Sequence, residues 1–234
     1  MCGVFGFITS DGRGPDVARL LRIALVTQTR GAHAFGLAWV DADGALHTFK
    51  QPGPASSHLG QLECCRGARA VIGHCRYATH GSPADNRNNH PHVVGSGYLV
   101  HNGVITNHQQ LLRRHRLTQT SQCDSEILGL LMSRTAGSIV QRAAWAANQV
   151  QGDLAMLGIW RSPARILVCR RGRPLHVGQA REGLYLASLT EGLPAKARVV
   201  TDGTARVVTY DDGLLYLDDD ALRLAPKLPT FDSA

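Results

Sequence analysis

Residues 1–7, MCGVFGF, place an apolar run directly behind a cysteine at position 2. Continued to Thr9, GVFGFIT reads as a buried strand. A thiol at the head of that strand needs a chemical reason. Val, Ile or Ala would fill the position equally well, and the first residues of a chain are usually its least ordered part.

Working outward, PDVARLLRIALVTQ (15–28) reads as a helix started near Pro15, with Val17, Leu20, Leu21, Ala24 and Leu25 on one face. FGLAWVDADGALHTF (35–49) reads as a hairpin around a D-A-D-G turn. ARAVIGHCRYA (68–78) and GYLVHNGVI (97–105) read as further buried strands. The polar, proline-containing segment between them, THGSPADNRNNHPHVVGS, reads as a loop. Helical runs follow over 107–116, 124–134 and 138–150, and then strands in DLAMLGIW, RILVCRR, PLHVGQ, GLYLASL, ARVVT and TARVVTY. Strands, helices and strands again imply an α+β fold with layers αββα, two sheets with helices packed outside them.

The 234 residues, 44% of them apolar, suffice for a sizeable core, and the expectation is one domain over 1–234. No apolar run is long enough for a signal peptide or a bilayer span, which leads to the expectation of a cytoplasmic protein with no membrane partner. Six cysteines without a C-x-x-C pair read as reduced thiols. The net charge of +7 comes mostly from arginines scattered from Arg13 to Arg223 rather than gathered in a block, so no nucleic-acid partner is expected.

Polar residues inside the apolar strands point to a site. Arg76, Thr79 and His80 end one strand, and His101 and Asn102 interrupt another, where an unsatisfied buried group would cost about 1–3 kcal/mol. Together with Cys2, the stretches CGVFGF, TRGAHAFG, GHCRYATHG, NNHPH, VHNGVITNH and CDSEI occur in an order that resembles the class II glutamine amidotransferases, in the manner of the glutaminase domain of glucosamine-6-phosphate synthase. The likeness continues more weakly through VQGDLAMLGIW, RRGRPLHVG and LYLAS.

The resemblance implies an N-terminal nucleophile hydrolase, a four-layer sandwich of two mainly antiparallel sheets that needs no cofactor. With Met1 removed, the α-amine of Cys2 would serve as base for its own thiol. The thiol would attack the side-chain amide of L-glutamine, release ammonia and leave a γ-glutamyl thioester for hydrolysis. The resemblance further implies Asn102 and Gly103 as the oxyanion hole. It implies substrate-binding roles for Arg30, Arg76, Tyr77, Thr79, His80 and Asp124, with Arg76 gripping the α-carboxylate and Asp124 the ammonium. The loop from Arg76 to His92 would be mobile when empty, Arg76 finding its partner only in bound glutamine.

Departures from the family pattern fall at His33 (in AHAF, where relatives carry an aspartate followed by small residues), at Tyr77 (for tryptophan) and at Leu189 (for aspartate). The crowded histidines and the HPH motif are read as hydrogen-bonded loop and strand residues rather than a metal site, since Pro91 makes a shared chelate awkward. The chain carries no recognisable synthase domain, so the ammonia is expected to pass to a separate synthase. The alternatives are a free-standing hydrolase of glutamine or a γ-glutamyl compound, and an interaction protein that kept the fold.

Overall fold

The computed structural model describes residues 1–217 and 222–225. In chain order the elements are β1 (Gly3–Thr9), α1 (Val17–Gln28), β2 (Ala34–Val40), β3 (Leu46–Pro52), α2 (Leu59–Glu63), β4 (Ala70–Arg76), β5 (His92–Val94), β6 (Gly97–Gly103), α3 (His108–His115), α4 (Glu126–Arg134) and α5 (Ile139–Gln149). They continue through β7 (Leu154–Trp160), β8 (Ala164–Arg171), β9 (His176–Gln179), β10 (Gly183–Ala187), β11 (Arg198–Val199), β12 (Thr204–Asp211), β13 (Leu214–Leu217) and β14 (Leu222–Arg223).

One sheet has the order β11-β9-β10-β1-β4-β2-β3 and the other β13-β12-β8-β7-β6-β5, with β14 added beside β12. The strand pairs are antiparallel, as in β1–β4 and β6–β7. Alternation along each strand builds the layers. Val4 and Ile8 of β1 enter a core with Ile72, Val100, Leu157 and Ile166 between the sheets. Phe5 and Phe7, on the other face, pack under α1 and α2 with Leu20, Ile23 and Leu62. Leu99, Met156 and Leu167 pack under α4 and α5 with Ile127, Leu131 and Ala143. The result is the αββα sandwich expected.

The helices fall where their caps place them. Asp16 caps α1 by accepting from the Arg19 N–H, and Ser138 with Gln141 forms a capping box at α5. The apolar face of α1 differs from the expected one: Val17, Leu20, Ile23, Ala24 and Thr27 are buried while Leu25 is exposed. The polar loop is also more regular than expected, with a 3₁₀ turn over Asn86–Asn88 and the short strand β5. Glu126 at the head of α4 accepts from Thr120 and Ser121, and the Gln122 N–H donates to Asn88 Oδ1 at 2.7 Å. This last bond ties the 119–123 segment to the 86–88 turn. Among the described residues no helix is long and apolar enough to cross a membrane.

Candidate active site

Three strands deliver their polar residues to one end of the gap between the sheets. Gly3 pairs with Cys75, so the start of β1 lies beside the end of β4. By alternation Cys2 shares the face of Val4 and Ile8, Arg76 that of Ile72, and Asn102 that of Val100; all three face the opposite sheet. The His74 ring bonds the carbonyl of His101 at 3.0 Å across the gap and sets β6 over β4.

Cys2 is half-buried, and the Tyr77 N–H donates to its Sγ at 3.3 Å. Burial pushes its thiol up, opposed by that amide, by the chain's amino terminus and by Arg76. The other buried thiols, Cys65, Cys75, Cys123 and Cys169, are pushed up by burial as well, the last two to about 12. Arg30 lies behind Cys2 and donates from Nε to its carbonyl at 2.8 Å. Its contact is therefore with the backbone of Cys2. Gly3 must be glycine here, because a Cβ would come within 2.5 Å of Thr27 Cγ2.

Arg76 is only 2% exposed and already has partners: Nη1 donates to Asn89 Oδ1 at 3.0 Å, and Nη2 to the carbonyls of His80 and Gly81. The expectation of an Arg76 that waits for substrate is thereby corrected. The guanidinium braces its own loop, and of its five N–H donors two remain for another ligand. The loop needs that brace because residues 79–90 have few ladder bonds of their own.

Tyr77 is 47% exposed and stacks on His33 with centroids 4.8 Å apart. His33 Nδ1 accepts the Ala78 N–H at 3.0 Å. Two of the departures from the family pattern thus touch each other and orient the backbone that meets Cys2 Sγ. Thr79 Oγ1 lies 3.3 Å from His80 Nδ1, which is 3.7 Å from Asp124 Oδ1. The other Asp124 oxygen accepts the Ile105 N–H at 2.6 Å, while Oδ1 faces His80 and accepts a long bond from Cys123 Sγ at 3.9 Å.

On β6, His101 Nδ1 bonds Ser125 Oγ at 2.8 Å and points away from the gap. Asn102 is 1% exposed and its Nδ2 is buried without a hydrogen-bond partner. Gly103 has no room for a Cβ against the Asp153 carbonyl and His101 Nε2. Leu189 follows Ser188, whose hydroxyl accepts the Val4 N–H at 3.0 Å. Sequence reasoning missed His33, Asn89 and Ser125 as positioning groups, although each lies in a stretch it had singled out, TRGAHAFG, NNHPH and CDSEI.

Burial holds four histidines neutral, His92 down to about 3, His101 to about 4, and His74 and His90 well below the usual range. His74 and His90 stack with centroids 3.9 Å apart.

No family model matches the chain. Two curated relatives, the glutamine–fructose-6-phosphate aminotransferases (isomerizing) of Vibrio cholerae and Agrobacterium fabrum, are each 32% identical to it, over 80% and 90% of this chain and 32% and 36% of their own. The chain spans about a third of the length of the curated relatives it matches. Among solved structures, the glutamine phosphoribosylpyrophosphate amidotransferase from B. subtilis superposes with a TM-score of 0.75 at 23% identity, over 96% of this chain and 49% of that one. A glutamine aminotransferase class-II domain protein from Silicibacter pomeroyi gives a TM-score of 0.58 at 13% identity, over 96% and 100%. At these identities the solved structures show the shared fold.

Proposed function

Because the chain belongs to the class II glutamine amidotransferases, we propose that it hydrolyses L-glutamine to glutamate and ammonia through a thioester on Cys2. What supports this reading most is the convergence of Cys2, Arg76 and Asn102 on one end of the inter-sheet gap, with a buried Asn102 amide that has no partner.

Once Met1 is removed, the freed α-amine takes the thiol proton, directly or through one water. An α-amine titrates near ~7.7–8.0 and a thiol near ~8.5, so the transfer is nearly balanced at neutral pH. Sulfur attacks the amide carbon, and the oxyanion is received by Asn102 Nδ2 and the Gly103 N–H. The amine returns its proton to the departing ammonia; water then cleaves the thioester by the same route. The two free N–H groups of Arg76 hold the α-carboxylate, and Asp124 Oδ1, which at rest accepts only a long bond from the Cys123 thiol, holds the α-ammonium with His80 and Thr79 beside it. Arg30 fixes the nucleophile's carbonyl.

Ammonia passes to a synthase subunit or domain whose acceptor is not read from these residues. We place the reaction in the cytoplasm, in keeping with six free thiols. The test is ammonia release from glutamine by the chain, with intact-mass analysis of its N-terminus. Full activity with Met1 retained would defeat the α-amine mechanism, and no release with Met1 removed would defeat the glutaminase reading.

A further inference from the structure

We propose that His90, His92 and Cys123 form a buried site for a soft, thiolate-seeking metal ion, zinc(II) or copper(I). One donor atom from each of the three lies within 4.8 Å of the others. The residues are 3–4% exposed. Both ring nitrogens of His90 and the Nε2 of His92 are buried without any hydrogen-bond partner. A buried imidazole costs about 1–3 kcal/mol for each polar atom left unpaired, so three such atoms in one place call for a ligand.

Pro91 does not prevent the chelate. His92 opens β5, His90 lies on its approach, and their rings meet edge-on with centroids 4.5 Å apart. The third donor comes from 31 residues further along the chain. Cys123 is held in place by the bond from Gln122 to Asn88 and by the turn that Glu126 folds around Thr120 and Ser121. Ligands at Zn–S and Zn–N lengths of ~2.3 and ~2.0 Å stand roughly 3.5 Å apart, which small side-chain rotations reach from the observed spacing.

Coordination forms a sulfur–metal bond and breaks the Cys123 S–H bond, the proton leaving to solvent. The two neutral imidazoles give lone pairs that nothing else uses. Lys50, whose Nζ donates to the carbonyls of Asn89 and Pro91, stands as a cation at the edge. One thiolate renders copper(I) neutral in that setting, whereas zinc(II) keeps one positive charge and takes a fourth ligand from water. The ion would clasp the 86–92 segment to the segment that carries Asp124.

Full-length protein is stripped with chelator and dialysed, under reducing conditions, against zinc(II) in one arm and copper(I) in the other, then weighed by native mass spectrometry. One ion per chain is expected in at least one arm, and the arm that competes better against a chelator of known affinity identifies the ion. Cobalt(II) in place of zinc should give a thiolate-to-cobalt charge-transfer band. Cys123→Ser should lose both band and ion, while Cys2→Ala and Cys64→Ser keep them. Stripped protein that takes up no stoichiometric ion in either arm, a cobalt complex without a thiolate band, or a band that disappears in Cys2→Ala instead would overturn the site. The wild-type spectrum decides the matter even if Cys123→Ser does not fold.

Discussion

Replacing Asn102 separates catalysis from stability. Its Nδ2 is buried without a partner, so the resting protein gains no hydrogen bond from it. Removing an oxyanion donor costs roughly 100- to 1000-fold in kcat, about 2.7–4 kcal/mol of transition-state stabilisation. The same substitution removes a buried orphan donor that costs the folded state about 1–3 kcal/mol. Asn102→Leu keeps most of the volume between Val100 and the facing sheet, so little cavity forms to offset the gain. The expected variant is therefore nearly inactive yet no less stable than the parent. At about 2–4 °C of Tm per kcal/mol for a chain of this size, a rise of about 2–12 °C is anticipated. Ammonia release coupled to glutamate dehydrogenase gives kcat and KM, and calorimetry gives Tm. A fall in kcat with unchanged KM marks a donor used in the transition state. If Asn102→Leu lost several degrees of Tm and kept its kcat, the amide would be a structural group and the oxyanion assignment would fail.

Cys2→Ala should abolish ammonia release and Cys2→Ser leave at most a trace, while a glutamine-like diazo ketone should label Cys2 alone; peptide mapping that finds the label chiefly on Cys65 or Cys75 contradicts the nucleophile. Arg76→Lys keeps the charge but cannot reproduce bonds to Asn89, His80 and Gly81 together with a substrate grip, so both KM for glutamine and Tm should move, stability falling by about 1.5–3 kcal/mol as for one charge-assisted bond; a raised KM with unchanged Tm would show that the loop does not depend on the brace. His33→Ala removes the acceptor for the Ala78 N–H and the face on which Tyr77 stacks, and kcat should fall about fivefold, the equivalent of one ordinary hydrogen bond, with the fold intact by circular dichroism; an unchanged kcat would remove His33 from the positioning of Cys2. The buried histidines are neutral in the folded chain and titrate near 6.5 once unfolded, so unfolding takes up protons below that pH. Their contribution is complete above about pH 6.5 and is lost as pH falls toward about 4 for His101 and about 3 for His92. Each such histidine adds about 1.4 kcal/mol per pH unit to the slope, and urea midpoints of the metal-free chain that stay flat between pH 6.5 and 5 would refute the burial.

The layers were legible because single strands carry them. GVFGFIT and LVHNG announce burial by composition, and the residues on their two faces differ in kind, Val4 and Ile8 against Phe5 and Phe7, once a second sheet is supplied. The edges were less legible. β5 spans three residues inside a polar loop, too short for periodicity to register, and it exists because β6 offers it a ladder. Leu25 was assigned to the apolar face of α1 because the pattern admits two overlapping faces, and the packing of Ile23 and Thr27 selects the other.

The site divides along the same line. Cys2, Arg76, Asn102 and Asp124 stand out in sequence because each is a polar residue where an apolar one would cost less, and that contrast is local. What each of them does at rest is not local. Arg76 is occupied by Asn89, His80 and Gly81, and one Asp124 oxygen by Ile105, through contacts that only the folded loop creates. Asn102 leaves its amide nitrogen wholly without a partner, whereas Arg76 keeps only the remainder of its donors, and that difference fits the roles proposed for them. A clamp can share its donors with structure, since substrate needs only the remainder, but an oxyanion hole must leave its donor empty until charge develops. Cys123 is the extreme case of non-local information. Its neighbours in sequence mark it only as the residue before Asp124, and nothing links it to His90 and His92 until the Gln122–Asn88 bond joins two loops. A motif scan weighs HPH by itself and finds a proline between two rings. The third donor appears only when the chain has folded, which is why the metal experiment and the oxyanion experiment address different kinds of residue: one assembled by tertiary structure, the other written into a single strand.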